Sequence, residues 1–263
     1  MFSFLRRTAN VVGESSMKAL KMEGIQGWQK ELPMFKLNTP KDLQEWAIGC
    51  DKDIGGTNIN NSSLFMLTCH ALIFMIVANN LGTGFSEAKL EITPEGVGKF
   101  SGNLSLELPS NAEIEQSGYA AIRSKVRPSS MFGTPCWDTT LFRYLAMRVR
   151  GDDRRYFVNI QTDGVIQTDL YQHRLFLQNA GQWQTVMIPF RDFVLTNNGM
   201  IQEDQIDMMR EKVKTVGISI ADREEGPFEI EIDWIKAMNT ESTEGDMDRN
   251  PHGADVPEVD FTK

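Results

Sequence analysis

The residues able to do chemistry are few and badly placed for it. The 263-residue chain has three cysteines and three histidines. Cys69 and His70 are sequence neighbours, the wrong geometry for a nucleophile and its base, and both lie in a long apolar run. Cys50, Cys69 and Cys136 are odd in number and widely separated, so they make neither a disulfide framework nor a zinc spacing and point to a reducing compartment. Cys136, beside Trp137, reads as a packed small hydrophobe. His70, His173 and His252 leave little material for a metal site. The chain has no GxSxG, HExxH or CxxC motif, and the glycines near Gly82 and Gly84 do not open a phosphate loop. Asp163, Asp169 and Asp233 could pair as general acid and base, although in a strand-rich chain such residues more often sit in turns or on solvated faces. No catalytic residue, metal ligand or cofactor is expected.

Binding chemistry is better represented. Arg143, Arg148, Arg150, Arg154 and Arg155 form a basic cluster that could hold an anion or an acidic partner. It also reads as a set of salt-bridge partners for an acidic domain, and that reading is preferred. Trp28, Trp46, Trp137, Trp183 and Trp234, with four tyrosines, could stack on sugar rings. Trp234 is in phase with core positions and is expected to be buried. Net charge is −9 and the isoelectric point about 5.0, which disfavours a nucleic-acid binder with a basic face.

At 24% charged and 41% hydrophobic the chain is globular, and its length suffices for a core without staples. Its charge is uneven. Residues 239–263 hold seven acids against Arg249 and Lys263, a net of −5, with two prolines, two glycines and little to bury; they read as a disordered tail. Residues 1–21 carry Arg6, Arg7, Lys18 and Lys21 against Glu14. With Phe2, Phe4, Leu5, Val11, Val12, Met17 and Leu20 they read either as a mitochondrial presequence or as an ordinary basic helix. Between Asp53 and Glu87 there is no acidic or basic residue apart from His70. The centre of that stretch, 64–78, is shorter than the roughly 20 residues needed to span a bilayer as a helix.

The elements that would position these groups are mostly strands. Residues 89–108 are two runs around the Pro94-Glu95-Gly96 turn, and 118–126 make a third. Residues 141–150 alternate, with Leu145, Met147 and Val149 on one face and Tyr144, Arg148 and Arg150 on the other. Gly151-Asp152-Asp153 is expected to turn the chain so that 156–161 pair with that strand. Residues 170–177 and 183–189 are expected to form a hairpin. A helix is predicted over 203–213, where Ile206, Met209 and Val213 share a face. Residues 216–221 and 228–235 return to strand, the latter with Phe228, Ile230, Ile232 and Trp234 pointing one way. Many short strands and little helix predict an all-β sandwich.

The strand segments carry a signature: CDKDIGG (50–56), GFSEAKLE (84–91), FSGNLSLEL (100–108), GYAAIRSK (118–125), LAMRVRGDDRRYFVNIQTD (145–163), DLYQHRLF (169–176), WQTVMIPFRDFVLTNNG (183–199) and TVGISIADREEGPFEIEIDWIKAMN (215–239). In that order, from Trp28 to Asn239, they resemble the complex I intermediate-associated protein family of mitochondrial assembly factors. The resemblance implies a galactose-binding-domain-like jelly-roll sandwich with one or two short helices. It implies a non-enzymatic protein on the matrix side of the inner membrane. Its partners would be complex I subunits and other assembly factors, with peripheral membrane association, no nucleic acid and no small-molecule substrate. The expected organisation is a basic segment over 1–27, a sandwich over 28–238 and an acidic tail over 239–263. Arg148, Arg150, Arg154, Arg155, Phe190 and Phe193 are the partner-binding candidates. A carbohydrate-binding sandwich module is the alternative, and it would need an aromatic platform on its concave face.

The chain departs from the family pattern at one place. Family members run from D-I-G-G directly into F-S, whereas here residues 57–84 separate Gly56 from Phe85. Two hypotheses account for the insert: a translated, unspliced intron, or a true insertion that dips into the inner membrane. Mature transcripts that retain the codons between 56 and 85 would eliminate the first.

Overall fold

The computed structural model describes residues 30–50, 85–107, 118–129, 133–197 and 199–240. The basic segment over 1–27, the apolar insert over 57–84 with Cys69 and His70, and the acidic residues beyond Thr240 lie outside the described residues.

Alternating apolar residues build two facing antiparallel sheets. The strands are β1 (Glu31–Lys36), β2 (Trp46–Cys50), β3 (Glu87–Ile92), β4 (Gly98–Leu104), β5 (Ala120–Ser124), β6 (Tyr144–Gly151), β7 (Tyr156–Thr162), β8 (Asp169–Leu175), β9 (Gln184–Pro189), β10 (Val194–Asn197), β11 (Met200–Ile201), β12 (Val213–Ile220) and β13 (Gly226–Met238). Sheet A has the order β3-β4-β13-β6-β9, with β1 added to β13, and sheet B the order β11-β10-β8-β7-β12-β5-β2. The protein is an all-β jelly-roll sandwich. Its only helical pieces among the described residues are short 3₁₀ turns at Asp42–Glu45, Phe190–Asp192 and Arg210–Lys212.

The core lies between the sheets. Leu145, Met147, Val149, Phe228, Ile230 and Ile232 of sheet A meet Ile122, Val158, Ile160, Val216 and Ile218 of sheet B, all of them buried. The alternation read in β6 is therefore correct, and so is the β3–β4 hairpin closed by Gly96 at φ 75°.

Four expectations need correction. Strand β7 exists but does not pair with β6: it joins β8 and β12 in the other sheet. Residues 152–155 carry the chain from sheet A to sheet B, because Asp152 is spent fixing that corner. Its carboxylate accepts the Arg154 N–H at 3.0 Å, the Tyr156 hydroxyl at 2.9 Å and the Glu229 N–H at 2.7 Å. Strands β8 and β9 likewise lie in opposite sheets and form no hairpin. No α-helix forms over 203–213, where the helical piece is the 3₁₀ turn at Arg210–Lys212. There the Gln205 side chain accepts the Leu195 N–H and donates to the Leu195 carbonyl, Ile206 is exposed, and Val213 opens β12. These tertiary bonds override the local helical period.

The fourth correction concerns Trp234. A bulge in β13 shifts the pairing with β6 between Ile232 and Trp234. Ile232 and Ile235 both face the core, and Trp234 turns to the outer surface.

Candidate functional site

The outer face of sheet A gathers the candidate arginines. On β6, Arg148 and Arg150 point away from the core because Leu145, Met147 and Val149 take the inward positions. Arg148 donates to Asp233 at 3.1 Å, and Asp233 also accepts from Asn38 at 3.1 Å. Arg150 pairs with Glu231 and reaches Glu95 at 3.5 Å. Both guanidinium groups lie over the half-buried ring of Trp183, at 5.3 and 5.1 Å from its centre. Trp234 stands opposite Arg148 in the β-ladder, with the Lys236 ammonium 4.1 Å from its ring centre. The β13 bulge thus adds a second tryptophan to a surface that a strict period of two would not give it.

The remaining candidates fall elsewhere. Arg154 makes a two-pronged ion pair with Asp222 at 2.6 and 2.8 Å, donates to the Pro227 carbonyl at 2.7 Å, and is almost wholly buried. Burial alone would raise the Asp222 carboxyl, but the Arg154 guanidinium and the Glu224 and Arg155 backbone N–H groups outweigh it and hold it below the ordinary aspartate value. Arg154 therefore locks a corner and is not a free contact. Arg155 is exposed, 4.0 Å from Glu224. Phe190 and Phe193 are buried and belong to the core cluster, which removes them as surface contacts. The salt-bridge reading of the cluster thus describes most of its arginines.

The candidate acids do not converge. Asp163 pairs with Lys214 at 2.8 Å, Asp169 accepts from Asn197 at 2.7 Å, and Asp233 lies in the other sheet. Burial pushes the Cys136 thiol up, with Asp163 adding to the effect, so it is not an activated thiolate. His173 lies between Phe176 and Phe193. No group of three His, Cys, Asp or Glu side chains suited to a metal exists among the described residues.

Sheet B presents a different outer face. Asn159 donates to Ser219 at 2.8 Å and accepts from Gln172 at 2.7 Å. Gln161 accepts from Arg123 and Thr215, each at 3.4 Å, and donates to the Gln167 carbonyl at 2.8 Å. Gln161, Thr215 and Ser219 are buried although they point away from the core. The described tryptophans lie elsewhere: Trp46 in the core, Trp137 edge-on to Phe35, and Trp183 and Trp234 on sheet A.

Residues 71–232, well over half of the chain, match the family model described as complex I intermediate-associated protein 30. A Neurospora crassa protein named mitochondrial complex I intermediate-associated protein 30 is 35% identical over 255 residues, covering 97% of this chain and 90% of that one. The chain belongs to the complex I intermediate-associated protein 30 family. Proteins of that name from Drosophila melanogaster and Mus musculus are 34% and 28% identical over 159 and 205 residues, or 59% and 77% of this chain. Each of those alignments spans 54% of the relative's length. Two solved structures of a Clostridium thermocellum family 11 carbohydrate-binding module, one with a mixed-linked tetrasaccharide, overlay at TM-scores of 0.44 and 0.46 with 12% identity. They cover 81% of this chain and 98% and 97% of the modules.

Proposed function

We propose that this family member is a mitochondrial assembly factor for respiratory complex I, holding assembly intermediates on the matrix side of the inner membrane through protein contacts. The observation that carries the reading is the 35% identity to the Neurospora protein along 97% of the chain. The residue chemistry agrees with a binding role: each candidate acid has a partner, and burial pushes the Cys136 thiol up.

The contact surface we assign is the Arg148–Trp183–Trp234 patch on sheet A, with Arg150 behind it. Tryptophan and arginine are the residues that most often dominate binding energy at interfaces. Because surface ion pairs are worth about 0–1 kcal/mol, Arg148 can exchange Asp233 for a partner's carboxylate at little cost. Binding of this kind shields subunit surfaces that are exposed until assembly is complete, and involves no covalent step.

The test is recovery of the tagged full chain from mitochondria, with mass spectrometry of what accompanies it. Complex I subunits and other assembly factors are expected. Their absence from the recovered material would overturn the reading.

A further inference from the structure

Four of the five most exposed large apolar side chains among the described residues sit at one end of sheet B: Val165, Met200, Ile201 and Ile206, each from 66% to 100% exposed. Ile166, 55% exposed, lies beside them. The topology explains the clustering. Val165 and Ile166 occupy the β7–β8 connection, and Met200 and Ile201 form β11. Strand β10 pairs with β8 on one side and β11 on the other, setting Asn197 opposite both Asp169 and Met200. Asn197 then ties the two connections together, donating to the Thr168 hydroxyl at 2.9 Å and the Asp169 carboxylate at 2.7 Å. Ile206 is brought alongside by Gln205, which bonds both backbone groups of Leu195. Exposed apolar side chains grouped on two braced connections mark a contact site.

The charge around them narrows the occupant. Glu203, Asp204 and Asp207 are exposed and form no ion pair among the described residues, and acids outnumber bases at this end even with exposed Lys212 and with Lys214, which Asp163 pairs. An anionic lipid surface would be repelled by these carboxylates, and so would a second copy presenting the same end. We propose that this end of sheet B docks an apolar protein segment flanked by lysine or arginine. That composition occurs where membrane-spanning helices leave the bilayer on its positive side. The apolar stretch lies along the β11 edge of the sheet, where Met200 and Ile201 project to opposite faces, and the flanking bases face Glu203, Asp204 and Asp207. The inference rests on the reading of the chain as an assembly factor and adds a second, chemically distinct surface to the tryptophan–arginine patch.

The experiment places a benzophenone amino acid at position 165 of the full chain in mitochondria and maps the adducts formed on illumination. The expected adduct lies in an apolar stretch within a few residues of a lysine or arginine, in a membrane-embedded complex I subunit or assembly partner. Adducts confined to lipid, to a second copy of the chain or to a polar soluble segment overturn the proposal. In parallel, the double variant Met200→Ser with Ile201→Ser lowers recovery of that partner by about tenfold. Because both side chains are exposed, the melting temperature stays unchanged; Val165→Ser serves as an independent variant should the pair affect β11. If the unaltered chain recovers complex I proteins and the variants recover as much, this surface is wrong while the assembly function stands. If the unaltered chain recovers none, the function itself fails and the proposal with it.

Discussion

The two outer faces of the sandwich are built from the same alternation and differ in nearly everything else. Sheet A turns out long charged side chains, Arg148, Arg150, Glu231, Asp233 and Lys236, together with two half-buried tryptophans. Sheet B turns out mainly neutral polar ones, Asn159, Gln161, Gln172, Thr215 and Ser219, bonded to one another and, through Gln161, to Arg123. The more exposed Arg148–Asp233 pair is resolvated by water when it opens, so it can exchange partners at low cost, whereas Glu231, paired with Arg150, is buried. A buried amide that loses its partner has no such recourse. Polarity on an outward strand face therefore has two meanings: one face is available for contact, and the other is part of the structure.

That comparison presumes two sheets locked together, and the corner at Arg154 and Asp222 is the place to break the lock. Removing one member of a buried pair costs about 3–5 kcal/mol, so Asp222→Ala should lower stability by that order in a chemical denaturation curve. The folded Asp222 carboxyl titrates below its unfolded value. Its contribution is therefore present above the unfolded pKa and disappears as pH falls through the folded one. The deficit of the variant should be constant near neutrality and shrink in acid, which a pH series of melting curves would show.

The next effect sharpens the contrast on sheet B. Gln161→Ala leaves Thr215 and the Gln167 carbonyl short of a partner, at a cost of about 1–3 kcal/mol. Partner recovery per folded molecule should not change. On sheet A the pattern reverses: Arg148→Ala should cost stability by about 1 kcal/mol or less, because its ion pair is largely exposed. Recovery of partners should fall. If Arg148→Ala proved more destabilising than Gln161→Ala, the two faces would not differ as described.

The smallest expected change in stability comes from removing residues 57–84. Strand β2 is the edge of sheet B, β3 is the edge of sheet A, and the two lie against each other. Residues 51–56 would still join them, reaching about 20 Å when extended, against roughly 10 Å between packed sheets. The shortened chain should melt near the full one and be more soluble, because a contiguous apolar run is an aggregation hazard. Equal soluble yields would count against the insert as the cause.

The sequence reveals which residues form strands more readily than it reveals where the chain changes sheet. Leu145, Met147 and Val149 mark β6 because one buried face imposes a period of two. That period is the same whether the next strand returns in the same sheet or crosses to the other, so the corners at Asp152 and between β8 and β9 look like hairpins in the sequence. At the first corner the bonds to Asp152 separate the cases, and one of them comes from Glu229, far along the chain. Trp234 departs from the sequence pattern for a related reason: a single bulge reverses the phase of all that follows, and nothing local in IEIDWIKAM announces it. For the candidate site, Arg148 and Arg150 were legible from their alternation. Arg154 was not separable from them without Asp222, and Phe190 and Phe193 look like a surface loop until the 3₁₀ turn at Phe190–Asp192 folds them inward. The exposed apolar end of sheet B was hidden behind the helical spacing of Ile206, Met209 and Val213.

The division of labour between the faces is tested most directly by one side-by-side recovery from mitochondria. Full chain, Gln161→Ala, and Arg148→Ala with Trp183→Ala are each tagged, and the complex I proteins that accompany them are quantified per folded molecule. The account predicts undiminished recovery with Gln161→Ala and a fall of about tenfold with the sheet A pair. Equal recovery by all three, or a fall only with Gln161→Ala, would contradict it.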